Sequence, residues 1–289
     1  MHFDAFNLFQ HPEAARRPEM YREELENELQ QIEYAEKLGY YGIWLAEHHF
    51  SEYGMASDAL LMAANVANRT ERVRIGIAVS VLPFHNPIRL AEQAATVDAL
   101  SNGRLDHGVG RGYQPYEFKG FGIDMEESRE RFDECLDVMI EAWTKERFSY
   151  HGKHWDFTDV SVYPKPTQKP FPRTFLACSS QESVAGAARR ALPILTGAVF
   201  WPIQKTKDVL GQYVDSLKKE GRSLAEIQRL ISDSGFLQFV YVADTNEKAK
   251  EEPRECLLNY LSILSKYTLP PFAAPPPGGF KDIAHEQFG

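Results

Sequence analysis

Cysteine is scarce. Cys135, Cys178 and Cys256 are the only three in 289 residues, spaced far apart and odd in number. They form no CxxC pair and cannot all be bridged, so a disulfide scaffold and a zinc ribbon are excluded. That usage predicts a reducing, cytoplasmic compartment. No run of ~18 apolar residues is present to span a membrane. The opening residues Met1-His2-Phe3-Asp4 show no basic segment followed by an apolar one, so no signal peptide is expected. Positive charge is also in short supply: 32 Lys and Arg against 41 Asp and Glu leave −9. A general nucleic-acid or anionic-membrane surface is therefore not expected. Also missing are a GxSxG elbow, a P-loop, an HExxH pair and any internal repeat at ~20–50 residues.

What remains is an ordinary globular chain, 43% hydrophobic and 25% charged. At this size about 74% of the unfolded surface can be buried, ample for one large core. Short apolar runs alternate with helical patterns. Phe3 to Phe9 reads as a first strand, and Tyr21 to Leu38 as a helix closed by Gly39. Gly42 to Ala46 is a short buried strand, and Ala56 to Asn68 an alanine-rich helix. Val73 to Leu82 is strand-like, and Asn86-Pro87 opens a helix running to about Leu100. Arg104 to Val109 is a fourth strand. Phe132, Leu136, Met139 and Trp143 then mark the apolar stripe of a further helix.

Phe148 to Phe171 is aromatic, Pro-punctuated and an excursion. Thr174–Ala177 and Pro193–Thr196 are strands separated by a helix over Ser183–Arg190. Helix follows from Lys205 to about Glu220, with a second piece to Leu230. Gly235 to Val242 is strand-like, and Asn246 to Lys266 helical with a break at Pro253. Seven strand–helix units predict a parallel sheet with right-handed crossovers. A closed (β/α)8 barrel needs one more unit, and a doubly wound sheet is the alternative.

The polar residues gather where strands end. Glu47-His48-His49 follows the second strand, Pro83-Phe84-His85-Asn86 the third, Gly110-Arg111-Gly112-Tyr113 the fourth and Cys178-Ser179-Ser180 the fifth. In a parallel α/β protein these turns share the carboxyl face, where ligands bind. Ser179-Ser180-Gln181-Glu182-Ser183 is the clearest anion signal, because a helix opens there with Ser179 and Glu182 at capping-box spacing. Arg111, presented between two glycines at a neighbouring strand end, is a bidentate partner for a phosphate. A plain helix cap and a surface arginine are the bland alternatives. Gly108-Val109-Gly110-Arg111-Gly112 is not a dinucleotide fingerprint, since its third glycine comes one place too early and no helix starts directly after it. His48 and His49 should diverge, with one facing the mouth as an acid–base group or a structural histidine. No third ligand at recognisable spacing accompanies them, so no metal is expected.

Several of these segments, taken in order, resemble the bacterial-luciferase-like flavin-dependent monooxygenase family. They are Trp44-Leu45-Ala46-Glu47-His48-His49-Phe50, Arg74 to Val79 with Leu82-Pro83, His85-Asn86-Pro87-Ile88-Arg89, and Gly103-Arg104 through Gly110-Arg111-Gly112-Tyr113. The similarity runs to about Lys266. It implies a TIM-type (β/α)8 barrel, commonly a homodimer, that takes reduced FMN from a separate flavin reductase. Oxygen would add at flavin C4a, and the peroxyflavin would oxidise an aldehyde or another small organic substrate. The resemblance makes His48 the catalytic acid–base residue and Ala78-Val79 a cis-linked pair beside the flavin ring. It puts Arg111, Ser179, Ser180 and Glu182 around the phosphate, and Tyr113 and Gln114 along the flavin.

Three departures stand out. Gly110 replaces a reactive but non-essential cysteine of luciferase. Gly197 replaces a tryptophan near the flavin, which weakens the case for light emission. The chain also stops before the family's last strand and helix, so the expected fold is a barrel truncated before its eighth unit. On this reading residues 1–268 form the barrel domain and 269–289 a Pro-rich tail. Two other functions remain open: a deazaflavin-dependent hydride-transfer oxidoreductase, and a flavin-binding protein without turnover.

Overall fold

In the computed structural model, residues 2–11, 13–198 and 201–267 are described, so the proposed tail at 269–289 lies outside them. The chain builds β1 (Asp4–Asn7), α1 (Pro18–Leu38), β2 (Gly42–Leu45), α2 (Ala59–Arg69), β3 (Arg74–Val81), α3 (Pro87–Leu100) and β4 (Leu105–Gly110). There follow α4 (Pro115–Phe121), α5 (Ser128–Thr144), β5 (Phe148–His151), β6 (Asp156–Val160), β7 (Arg173–Ala177), α6 (Gln181–Arg190) and β8 (Ile194–Thr196). Last come α7 (Ile203–Lys219), α8 (Leu224–Asp233), β9 (Gly235–Phe236), α9 (Asn246–Glu251) and α10 (Arg254–Tyr267).

Seven strands form one sheet in the order β1-β2-β3-β4-β7-β8-β9, and every pairing in it is parallel. Consecutive strands are neighbours and helices join them, as right-handed crossovers require. This is the curled α/β sheet of a barrel, with β1 and β9 as its two edges among the described residues. The excursion at 148–171 holds a separate antiparallel pair, β5 and β6.

Local chemistry sets the element ends. Gly39, at φ 88°, closes α1 by giving its N–H to the Ala35 and Glu36 carbonyls. The Asp58 and Asn86 side chains cap α2 and α3 by accepting from Leu61 N, and from Ile88 N and Arg89 N. The α2 helix thus begins three residues later than the alanine pattern suggests. Gly235 to Val242 departs further from expectation. Only Gly235 and Phe236 pair with β8, and Val240 and Val242 are largely exposed. An alternating apolar run carries no ladder without a neighbour to bond.

The core lies between the sheet and its helices. The outward-facing residues Ile43, Leu45, Ile75, Ile77, Leu105 and Val109 are completely buried, each contributing about 1.5–3 kcal/mol of transfer free energy. The expected stripe of α5 packs here too, and Trp143 Nε1 donates to the Ala91 carbonyl on α3 at 3.0 Å. On the inner face Trp44 fills space that Gly76 leaves, since a Cβ on Gly76 would come within 2.2 Å of the indole. At the amino ends of the strands Arg74 grips Asp106 at 2.7 and 2.6 Å, with Arg173 alongside. That ion cluster supports the barrel from the end opposite to the polar loops. Among the described residues no helix is long and apolar enough to cross a membrane.

Candidate functional site

Two polar groupings occupy the carboxyl ends of the strands, and the loop after β4 runs between them. The first follows β2. Glu47 is buried, and its carboxylate accepts from His85 Nε2 at 2.9 Å and pairs with His49 Nε2 at 3.1 Å. Burial alone would raise its pKa, but the hydrogen bonds and charges of His49 and His85 outweigh it and hold the carboxyl at about 2. In His85 burial acts downward, and the bond to Glu47 more than offsets it, so the imidazole is raised.

His48 and His49 diverge as expected of adjacent residues at a strand end. His48 Nδ1 meets Glu117 Oε1 at 3.0 Å, and the His49 backbone N–H donates to the same oxygen at 2.9 Å. Glu117 is buried on α4, a helix absent from the sequence reading. The pairing fixes the His48 ring and leaves Nε2 as its outward atom, the usual way a carboxylate orients a working imidazole. Tyr53 and Tyr113 stand edge-on to that ring at 4.6 and 6.3 Å. The Tyr53 hydroxyl bonds Tyr260 of α10 at 3.0 Å. Burial, together with Tyr113 and Tyr260, pushes the Tyr53 phenol well up, and burial puts Tyr113 at about 12.

The second grouping is an anion corner. Its helix α6 opens two residues before the expected Ser183, with its cap one residue after the expected Ser179. The cap is Ser180, not Ser179, and its hydroxyl accepts from Ser183 N. The box therefore pairs Ser180 with Ser183, and the expected Ser179–Glu182 box does not form. The reason is conformational: Ser180 is extended, at φ −132° and ψ 156°, so the first helical turn begins at Gln181. Ser179 lies just outside and exposed. Glu182 turns its carboxylate to Arg129 of α5, at 2.7 Å.

Arg111 makes no hydrogen bond or ion pair among the described residues. Burial, then Arg129, lower its pKa, while Glu182 acts in the opposite direction. Arg129 was not found from sequence, because a helix-start arginine after Glu126-Glu127-Ser128 carries no signal of its own. Glu117, Tyr53 and Tyr260 were missed likewise, and His85 was placed on the right face without its pairing to Glu47. Their roles depend on contacts spanning 38, 69 and 207 residues.

Between the two groupings lie Ala78 and Val79, half-buried and joined by a cis peptide. A Cβ on Gly110 would come within 2.5 Å of Val79, so the strand end there admits no side chain without movement. The thiol that luciferase carries at this place would have to displace Val79. Gly197, at φ +88° and against the Leu237 carbonyl, is likewise closed to a larger residue. Gln114 caps α4 with its side chain fully buried, and neither amide atom has a hydrogen-bond partner of good geometry. Among the described residues no group of three or more His, Cys, Asp or Glu could hold a metal ion.

Residues 1–285 match the luciferase-like monooxygenase family. The chain belongs to that family. Within it, the oxygenase component of the flavin-dependent trigonelline monooxygenase of Acinetobacter baylyi is 28% identical, over 88% of this chain and 69% of that protein. An alkanal monooxygenase alpha chain from the Kryptophanaron alfredi symbiont is 30% identical, over 78% of this chain and 62% of its own length. Several of these luciferase-like relatives are matched over only about 60–62% of their length. Among solved structures, the monooxygenase RslO1 of Streptomyces bottropensis superposes with a TM-score of 0.81 at 28% identity, covering 92% of this chain and 79% of that one. An F420-dependent secondary alcohol dehydrogenase shares the fold, with a TM-score of 0.70 at 16% identity, over 99% of this chain and 81% of its own.

Proposed function

We propose that the chain is the oxygenase of a two-component FMN-dependent monooxygenase, which oxidises an aldehyde or another small organic substrate with O2 after a separate reductase delivers the reduced flavin. One observation carries this reading. The loop after β4 links Arg111, which has no hydrogen bond or ion pair among the described residues and feels the charge of Glu182 in the first turn of α6, to a histidine oriented by a buried carboxylate. The residues fit FMN in three ways. Arg111 and the Ser180 end of α6 supply donors and positive potential for a phosphomonoester. The buried amide of Gln114 has no hydrogen bond of good geometry among the described residues, a shortfall that a polar ring edge would relieve. Ala78-Val79 and the bare Gly110 offer a flat floor.

Reduced FMN, when bound, supplies the electrons that activate O2. The protein's part is positional. His48, held at Nδ1 by Glu117, presents Nε2 to give or take a proton at the reacting end. Tyr53, buried against the His48 ring, would keep water from that side of it. Ser179 and Ser180 would be within the same corner as Arg111, and Arg129, now paired with Glu182, would add positive charge there. Glu182 therefore acts chiefly through its hold on Arg129.

The test is a pair of titrations with FMN and with riboflavin. Arg111→Ala removes charge-assisted bonds worth ~1.5–3 kcal/mol, so FMN should weaken about 10- to 150-fold while riboflavin changes little. Equal weakening of both ligands would move the phosphate elsewhere.

A further inference from the structure

A cavity of about 510 Å³ lies against His48, and none of the anion-corner residues lines it. Its walls come from the segment between β1 and α1 and from the loop after β2, with Ala14, Pro18, Tyr21, Phe50 and Met55 as the apolar surface and His48 as a shared wall. Nothing in the phosphate-binding scheme uses this space. Its size is that of a small-molecule site, for which ~300–1,000 Å³ is usual.

The wall is pinned in place. The Tyr21 hydroxyl donates to the Met55 carbonyl at 2.9 Å, and the Met55 N–H donates to the Phe9 carbonyl at 2.9 Å. The ionisable side chains that line the cavity each have a partner. Arg16, at the rim, is paired with Glu52. His49 faces Glu47 at 3.1 Å and His48 faces Glu117 at 3.0 Å. A charged guest would meet no unpartnered counter-charge among the described lining residues, so any water it gave up would go uncompensated.

We propose that this cavity receives the organic substrate, and that the substrate is an uncharged, largely apolar molecule whose reactive group lies against His48. The proposal rests on the monooxygenase reading for the word substrate. The site itself is tested without flavin. Specificity then resides in Met55, Tyr21 and Phe50, whose side chains set the width of the cavity.

The experiment is a set of calorimetric or ligand-observed NMR titrations of the full chain with benzyl alcohol, benzoate and benzylamine, which share a ring and differ in charge. Benzyl alcohol should bind at least tenfold more tightly than either ion. Ser57→Trp, at an exposed wall position, should weaken benzyl alcohol at least tenfold while FMN affinity and circular dichroism stay unchanged. Phe50→Ala should weaken it in the same direction, and Arg16→Gln with Glu52→Gln should leave it within threefold. Benzoate binding most tightly, and losing its affinity in Arg16→Gln, would overturn the uncharged class. Benzyl alcohol that ignores Ser57→Trp, or no probe binding at millimolar concentration, would overturn the site. Benzyl alcohol bound as described to a protein that binds no FMN would support the cavity and remove the flavin reading instead.

Discussion

Replacing Glu47 by Gln should cost the protein about 3 kcal/mol at pH 7, and the cost should depend on pH in a definite way. The Glu47 carboxyl is held at about 2, against an ordinary value near ~4.3. At ~1.4 kcal/mol per pH unit, that preference for the charged form amounts to about 3 kcal/mol, in line with the ~3–5 kcal/mol lost when one partner of a buried pair is removed.

Because the folded carboxyl is depressed, its contribution is complete above pH ~4.5 and falls as pH drops toward 2. His85 is raised, so its share is complete below its unfolded value near ~6.5 and is lost as pH rises through the folded value. The gap between wild type and Glu47→Gln should therefore be widest from about pH 4.5 to 6.5 and narrow on both sides. Urea unfolding at pH 3.5, 5.5, 7 and 9 reads it directly. A gap under ~1 kcal/mol at pH 5.5, or one that stays constant across the series, would refute the reasoning.

His107 is fully buried, bonded among the described residues only through Nε2 to Ser80 Oγ at 3.0 Å, and burial depresses its pKa to about 3. The unfolded chain takes up that proton first, so His107→Gln should flatten the loss of stability seen as pH falls from ~6.5 toward 4; an unchanged slope in urea midpoints would contradict this. Gly110→Ala would drive a Cβ to within 2.5 Å of Val79, so thermal denaturation should show a loss of ~1–3 kcal/mol, and FMN titration a weaker affinity. A variant with wild-type stability and affinity would show that the strand end is not confined.

The fold was readable because its signals are local. Val73 to Leu82 is β-branched, Asn86-Pro87 and Gly39 mark helix ends by their own backbone chemistry, and the stripe from Phe132 to Trp143 keeps helical period. Where a neighbour decides, the pattern failed. Leu237 to Val242 alternates like a strand yet lies beyond the two residues that pair with β8. At the site, the strand-end clusters His48, Arg111 and Ser179-Ser180 were visible because such turns share one face. The cap moved to Ser180 because φ and ψ, not spacing, choose the first turn. Glu117, Arg129 and Tyr260 were invisible, since each acquires its role only from a residue far away in sequence that folding brings within 3.0 Å.

On the proposed function, these residues protect a flavin–oxygen reaction beside His48. The direct test is to mix protein holding reduced FMN with oxygenated buffer in a stopped-flow instrument and follow flavin absorbance, for the wild type and for His48→Ala. Reoxidation should be slower in the wild-type protein than in free solution, and His48→Ala should lose most of that delay while keeping its FMN affinity. Reoxidation at the free-flavin rate in the wild type, or an undiminished delay in His48→Ala, would contradict it.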